Sequence, residues 1–349
     1  MKKFIFFCLA AFAAFSVSCR KEAPAPAVPE EGRLLLDLRC ADPEVRAATG
    51  PDTTAQAYEK KVRKVDILVF DSDGRLDLHH SAGTSLKNIS LSVRTGQKEI
   101  WAVINGPDLR SVKRLTELKA LQTRLDENAV SGAAQGFVMA GSGSCLVVPA
   151  QNTPCAISVS RFAARVALTR VQVSLPASYR SVIIKNVLLA NVVANQNLAG
   201  TAQPQTWYNK KGRTENGTLI DGSSGRTAAC PDLTFRASGT TVNNQAALPL
   251  PTPWFFYGYP NPTAQDPSDL SGTFQAQRSR LVVTAEIDGA LYYYPVTLPV
   301  LRRNTAYEVA LTIQGLGTSG PDTIPQKGSF SANVTIRSWE NGATLNETI

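Results

Sequence analysis

Histidine and cysteine are scarce in this 349-residue chain, which holds two of the first and six of the second. The histidines are neighbours, His79 and His80, and adjacent residues on a strand point to opposite faces, so the two cannot close on one ion. No C-x-x-C or H-x-x-x-H spacing occurs, so a zinc site lacks its ligands. Charge is sparse as well: 18% of residues are Asp, Glu, Lys or Arg, with a net +8 scattered along the chain. That pattern excludes the clustered basic surface that nucleic acid requires.

Motifs that carry catalysis are also missing. Gly141-Ser142-Gly143-Ser144-Cys145 misses the G-x-S-x-G elbow by register and lacks the third glycine of a phosphate loop, so it reads as a turn. Asp71-Ser72-Asp73-Gly74 begins like a calcium loop, but no glutamate follows at the required distance. The pair Asp73-Gly74 marks a hairpin instead. No catalytic residue, cofactor or metal site is expected, and the chain does not read as an enzyme.

What is present begins with an export signal. Lys2 and Lys3 precede an apolar run over residues 4–17, and Ser16-Val17-Ser18 leads into Cys19. The run is shorter than the roughly 20 residues that span a bilayer, and small residues before a cysteine predict lipidation at Cys19. Residues 20–31 form a Pro/Ala/charge tether with too little apolar content to fold.

Beyond the tether, runs of five to seven β-branched or aromatic residues recur between turn formers, as at 64–70, 89–93 and 99–105. Mainly β architecture built of antiparallel sandwiches is the expectation. Leucines at 115, 118, 121 and 125, with Val112, predict one helix over residues 111–128. A long strand over 155–171 carries an irregularity at 161–164, where a bulge or bend fits. Residues 195–240 turn polar and read as long loops. Hairpins recur in the second half, one of them around Asp288-Gly289. The aromatic run of Trp254, Phe255, Phe256, Tyr257 and Tyr259 reads as core packing more readily than as a sugar platform. In an oxidising compartment Cys145 and Cys155 are candidates for a disulfide.

The order of the segments VDILVF (65–70), FVMAGS (137–142), VSRFAARV (159–166), FYGYPN (256–261), LRRNTAY (301–307) and VTIRSW (334–339) resembles the fimbrilins of Bacteroidales type V pili. The resemblance spans nearly the whole exported chain. It implies two tandem transthyretin-like antiparallel β-sandwich domains, exported as an outer-membrane lipoprotein and then cut after an arginine by an arginine-specific surface protease. The parts become a signal peptide at 1–19, a propeptide or tether at 20–46, and sandwiches at 47–194 and 195–349.

Within that frame the two ends acquire roles. The segment 33–39 is a short strand with Leu34, Leu36 and Leu38 at alternate positions, and 42–50 is an open, Pro- and Gly-flanked stretch. The resemblance places cleavage between Arg46 and Ala47, removing lipid and strand together; Arg33 and Arg39 are alternative points. The donor strand is expected in the tail, with Val334, Ile336, Trp339, Leu345 and Ile349 as its apolar residues. Expected partners are copies of the chain or related fimbrial subunits in a head-to-tail polymer, and surface receptors on host or bacterial cells, with adhesion and biofilm formation as outcomes. The alternative is a permanently anchored protein: a pilus anchor, a tip adhesin, or a glycan-binding lipoprotein using Trp254 and its neighbours.

Overall fold

The computed structural model describes residues 30–40, 56–210, 228–267, 275–321, 323, 325–338 and 344–348. Cys19, the Arg46–Ala47 bond, Trp339 and Ile349 lie outside those residues.

The chain is mainly β. Its first strands are β1 (Glu31–Cys40), β2 (Val65–Asp71), β3 (Leu76–Ser81), β4 (Ile89–Arg94) and β5 (Gly96–Ile104). A short helix α1 (Leu115–Ala120) precedes β6 (Gln122–Arg124), β7 (Met139–Val147), β8 (Asn152–Arg161), β9 (Ala164–Val173) and β10 (Ser181–Ala190). Three small strands follow, β11 (Val192–Val193), β12 (Asn195–Asn197) and β13 (Trp207–Tyr208), then helix α2 (Pro231–Thr234). The rest is β14 (Phe235–Asn243), β15 (Trp254–Gly258), β16 (Arg280–Ile287), β17 (Ala290–Thr297), β18 (Thr305–Ile313), β19 (Phe330–Ser338) and β20 (Thr344–Thr348).

The first half forms a seven-stranded sheet in the order β3-β2-β5-β7-β8-β1-β4. It curves until its two ends face one another. Leu34, Leu36 and Leu38 of β1 and Ile89, Leu91 and Val93 of β4 share one core with Val65, Ile67 and Val69 of β2 and Ile100, Ala102 and Ile104 of β5. The pattern of β4 shows why: its apolar residues alternate with exposed Ser90, Ser92 and Arg94, the period-two pattern of a strand with one wet face. Strand β2 is buried on both faces because Leu68 and Phe70 pack outward against a second core.

That second core belongs to a sandwich of two sheets, β14-β10-β16-β17 and β15-β9-β18-β19-β20. Val182, Ile184, Val187 and Leu189 of β10 meet Val166 and Leu168 of β9 and Val309 and Leu311 of β18 across it. The turn before β18 joins the two halves. Asn304 adopts a left-handed φ of 51°, and the Arg303 guanidinium donates to Ser160 O at 2.9 Å while lying 4.2 Å over the Phe162 ring. Tyr307 closes this turn by donating to Val300 O at 2.7 Å.

The structure departs from several expectations. The helix over 111–128 shrinks to α1, because residues 122–124 leave it to pair with β12. Tyr259 Oη bonds Thr123 Oγ1 at 2.9 Å and Arg124 O at 2.9 Å, so tertiary hydrogen bonds outweigh helix periodicity. The leucines still serve the core, with Leu118 and Leu125 buried. Residues 141–145 are not a turn but the interior of β7. A Cβ at Gly141 falls 2.0 Å from Ser158 O, so glycine permits close strand approach there. Irregularity at 161–164 is larger than a bulge: β8 ends and β9 begins, in different sheets. Finally, β9 and β10 hydrogen-bond with strands beyond residue 230, so sheet membership changes over at Phe162 and Ala163 rather than at 194. The polar stretch 195–240 also contains α2 and the start of β14.

Candidate assembly site

The expected removable strand is seated inside the first sheet, not at its rim. Strand β1 runs antiparallel to β4, from Glu31 opposite Arg94 to Leu36 opposite Ile89. On its other edge it runs parallel to β8, from Arg33 opposite Asn152 to Cys40 opposite Val159. Among the described residues β4 pairs with no strand except β1. Taking β1 out therefore opens a slot one strand wide, walled by β8 and β4.

Leu34, Leu36 and Leu38 all point into the core and are 0%, 0% and 3% exposed. At ~1.5–3 kcal/mol for each buried leucine, the three contribute about 5–9 kcal/mol to holding the strand. Polar bonds add to this at the strand's far end. Asn88 N donates to Asp37 Oδ1 at 2.9 Å, and Leu38 N donates to Leu86 O at 2.7 Å. Gly32 is required for entry, since a Cβ there falls 2.5 Å from Val147 Cγ1 and 2.8 Å from Val148 O.

The tail lies on the opposite half. Strand β19 is paired on both edges, with β18 over nine register positions and with β20 over five. Val334 is fully buried and Ile336 packs partly buried on the second core. Leu345 stands opposite Ile336 in register. Among the described residues strand β20 ends its sheet and has one neighbour, so its outer backbone groups are open there to a further strand.

Two charged clusters, one tying the first half to the second and one within the first, were missed by sequence reading. Glu59, in a 3-10 turn over Ala57–Lys60, is buried. Its carboxylate lies 3.3 Å from Arg165 Nη1 and accepts a 2.6 Å bond from Tyr257 Oη. Burial pushes the Tyr257 hydroxyl well above the usual tyrosine range. Arg165 within the apolar run 162–168 was the available signal, because a buried guanidinium needs an anion. The second cluster joins Lys98, with a fully buried side chain, to Asp71 and to Asp77, the latter at 2.5 Å. Arg94 Nε bonds Asp77 Oδ1 at 2.6 Å.

The remaining candidates fall out as follows. His79 Nε2 lies 3.1 Å from Asp66 Oδ1, so it is a partnered hairpin residue rather than a solvated one. No group of three metal-ligating side chains occurs among the described residues. Trp254, Phe256, Tyr257 and Tyr259 are buried, with the Phe137 ring tilted against Tyr257 at 4.7 Å, so the sugar platform does not exist at the surface. The Cys145 and Cys155 thiols are free and lie within hydrogen-bonding reach of each other.

A family model for the major fimbrial subunit protein FimA matches residues 36–170. Across nearly the full length, the chain is 23% identical to the major fimbrium subunit FimA type-2 of Porphyromonas gingivalis, covering 97% of this chain and 98% of that one. The chain resembles the FimA-like fimbrilins over nearly its full length. A fimbrilin structure from Porphyromonas gingivalis superposes on this chain with a TM-score of 0.56 at 14% identity, covering 87% of this chain and 97% of that chain. A Parabacteroides distasonis structure described as a cell adhesion protein gives 0.62 at 18% identity, covering 89% and 100%. The FimA family model begins within β1 and ends within β9, so it takes in most of the slotted sheet and the changeover. The proteins it matches are named as fimbrial subunits and, in one solved structure, as a cell adhesion protein.

Proposed function

We propose that this chain is a fimbrilin that polymerises by strand exchange after the segment carrying β1 is cut away. The observation that carries the reading is the position of β1, a parallel intruder between β8 and β4 that is the sole strand partner of β4 among the described residues. Cys19 anchors the precursor to the outer membrane through lipid, and cleavage between Arg46 and Ala47 by an arginine-specific surface protease releases it. The emptied slot offers two unpaired edges and an apolar floor, the setting in which an incoming strand adds a ladder and buries its side chains.

The donor is the tail of the next subunit. Of its two strands β20 is the readier, because among the described residues it has one neighbour and five register pairs, whereas releasing β19 also uncovers Val334. Leu345 then enters the slot, with Ile336, Val334, Trp339 and Ile349 following if β19 also detaches. Each subunit gives a strand and receives one, which builds an open filament rather than a ring. Adhesion and biofilm formation follow from the filament. A permanently anchored glycan-binding role loses its basis with the burial of Trp254.

N-terminal sequencing of sheared filaments tests the reading. A start at Ala47 is expected, and filaments that retain residues 31–40 overturn it. Deleting residues 341–349 is expected to abolish filaments while the precursor still folds.

A further inference from the structure

Strand β8 is unevenly held. It pairs with β1 over eight register positions, from Asn152 to Val159, but its ladder with β7 has two, Met139 with Arg161 and Ala140 with Ser160. If β1 leaves, the stretch of β8 nearest its start loses its main partner. Both strands nevertheless stay in register beyond those two rungs. Gly143 lies against the Ile157 side chain, at 3.3 Å from a built Cβ, which keeps the sum of paired residue numbers unchanged. The same register sets Cys145 opposite Cys155. Directly opposed residues of antiparallel strands lie about 4.5–5.5 Å apart at Cα, inside the range that a disulfide spans.

We infer that Cys145 and Cys155 form a disulfide that clamps β8 to β7 and keeps the wall of the slot in place when β1 is absent. The bond itself is independent of the strand-exchange reading; its use as a wall clamp rests on that reading. Both thiols are partly buried at the border of the first core, and each is within reach of the other. The hydrogen bond from Cys145 brings the Cys155 thiol down to about 7, so Cys155 supplies the thiolate, while the same contact and burial raise Cys145. Oxidation breaks two S–H bonds and forms one Sγ–Sγ bond. The two electrons and the two protons pass to the disulfide of a dithiol–disulfide oxidant in the exporting compartment, which is reduced to its dithiol. Cys230, half-buried on the other half of the molecule, has no such partner among the described residues and stays a thiol.

The test uses the full chain, incubated with oxidised glutathione, denatured and alkylated without reduction, then mapped by mass spectrometry. A linked pair of peptides carrying Cys145 and Cys155, with Cys230 alkylated, is the expected result; alkylation of both Cys145 and Cys155 overturns the bond. Amide exchange over residues 152–160 reads the clamp. Exchange at least threefold slower in the oxidised chain than in Cys145→Ser/Cys155→Ser is expected, and equal rates overturn the clamp. Wild-type chain kept reduced with a phosphine replaces the double variant if that fails to fold. Neither readout requires polymerisation, so failure of strand exchange leaves both results interpretable.

Discussion

Replacing Leu36 by alanine tests the hold on β1 where it is strongest. Leu36 is fully buried, opposite Ile89 on one neighbour and Cys155 on the other. Truncating a buried leucine costs about 2–5 kcal/mol, because transfer and cavity terms add. At ~1.4 kcal/mol per tenfold, that raises the population with β1 open about 30-fold to several thousandfold. A whole domain has only ~5–15 kcal/mol to lose, so the variant stays folded but loosely strapped. Amide exchange measured alongside urea unfolding reads this directly. Strands β1 and β4 are expected to exchange faster, with β18 far less affected. The control is Leu35→Ala, on the opposite face and only partly buried, which is expected to cost about 1 kcal/mol. Identical urea midpoints and exchange rates for the two variants refute the claim that the inward leucines hold the strand.

Gly32→Ala places a Cβ against Val147 Cγ1 and Val148 O, so it is expected to destabilise the entry of β1 by about 1–3 kcal/mol, read as a lower urea midpoint and faster cutting near residue 32. For Asp77, burial alone raises the carboxyl, but hydrogen bonds from Lys98 and Arg94 outweigh it and leave it below its ordinary 3.8. A depressed folded-state value gives stability present above the unfolded value and lost as pH falls through the folded one. Asp77→Asn is therefore expected to flatten the loss of stability below pH ~4 and, by leaving the buried Lys98 cation with Asp71 as its carboxylate partner, to cost about 1.5–3 kcal/mol at neutral pH. Trp254→Ala is expected to lower the melting temperature, at a cost of about 3–5 kcal/mol, without changing binding on a glycan array.

The strands were legible because their patterns are local. Alternation in residues 89–93 and the Asp73-Gly74 and Asp288-Gly289 turns are visible without the fold, and β4 and the β2–β3 and β16–β17 hairpins match them. The helix over 111–128 misled because its leucine spacing serves the core equally well as a broken segment whose backbone is captured by Tyr259 and β12, both distant in sequence. Gly141 misled for a related reason: close strand approach and turn formation both select glycine. In the candidate site, Leu34, Leu36 and Leu38 could be read as one face of a strand. Their neighbours could not, since a parallel pairing with β8 across more than 110 residues leaves no local trace. The Glu59–Arg165 pair was hidden likewise, although Arg165 in an apolar run signals a buried partner.

The central claim is that β1 must leave before a subunit can accept its neighbour. Leu35 and Ser90 stand directly opposite on β1 and β4, so Leu35→Cys/Ser90→Cys provides a reversible lock. The measurement is filament growth, by light scattering and electron microscopy, after arginine-specific proteolysis of the locked chain with and without reductant. The account predicts no growth while the cross-link is intact and wild-type growth once it is reduced. Filaments growing at the wild-type rate from chains whose cross-link is still closed contradict it.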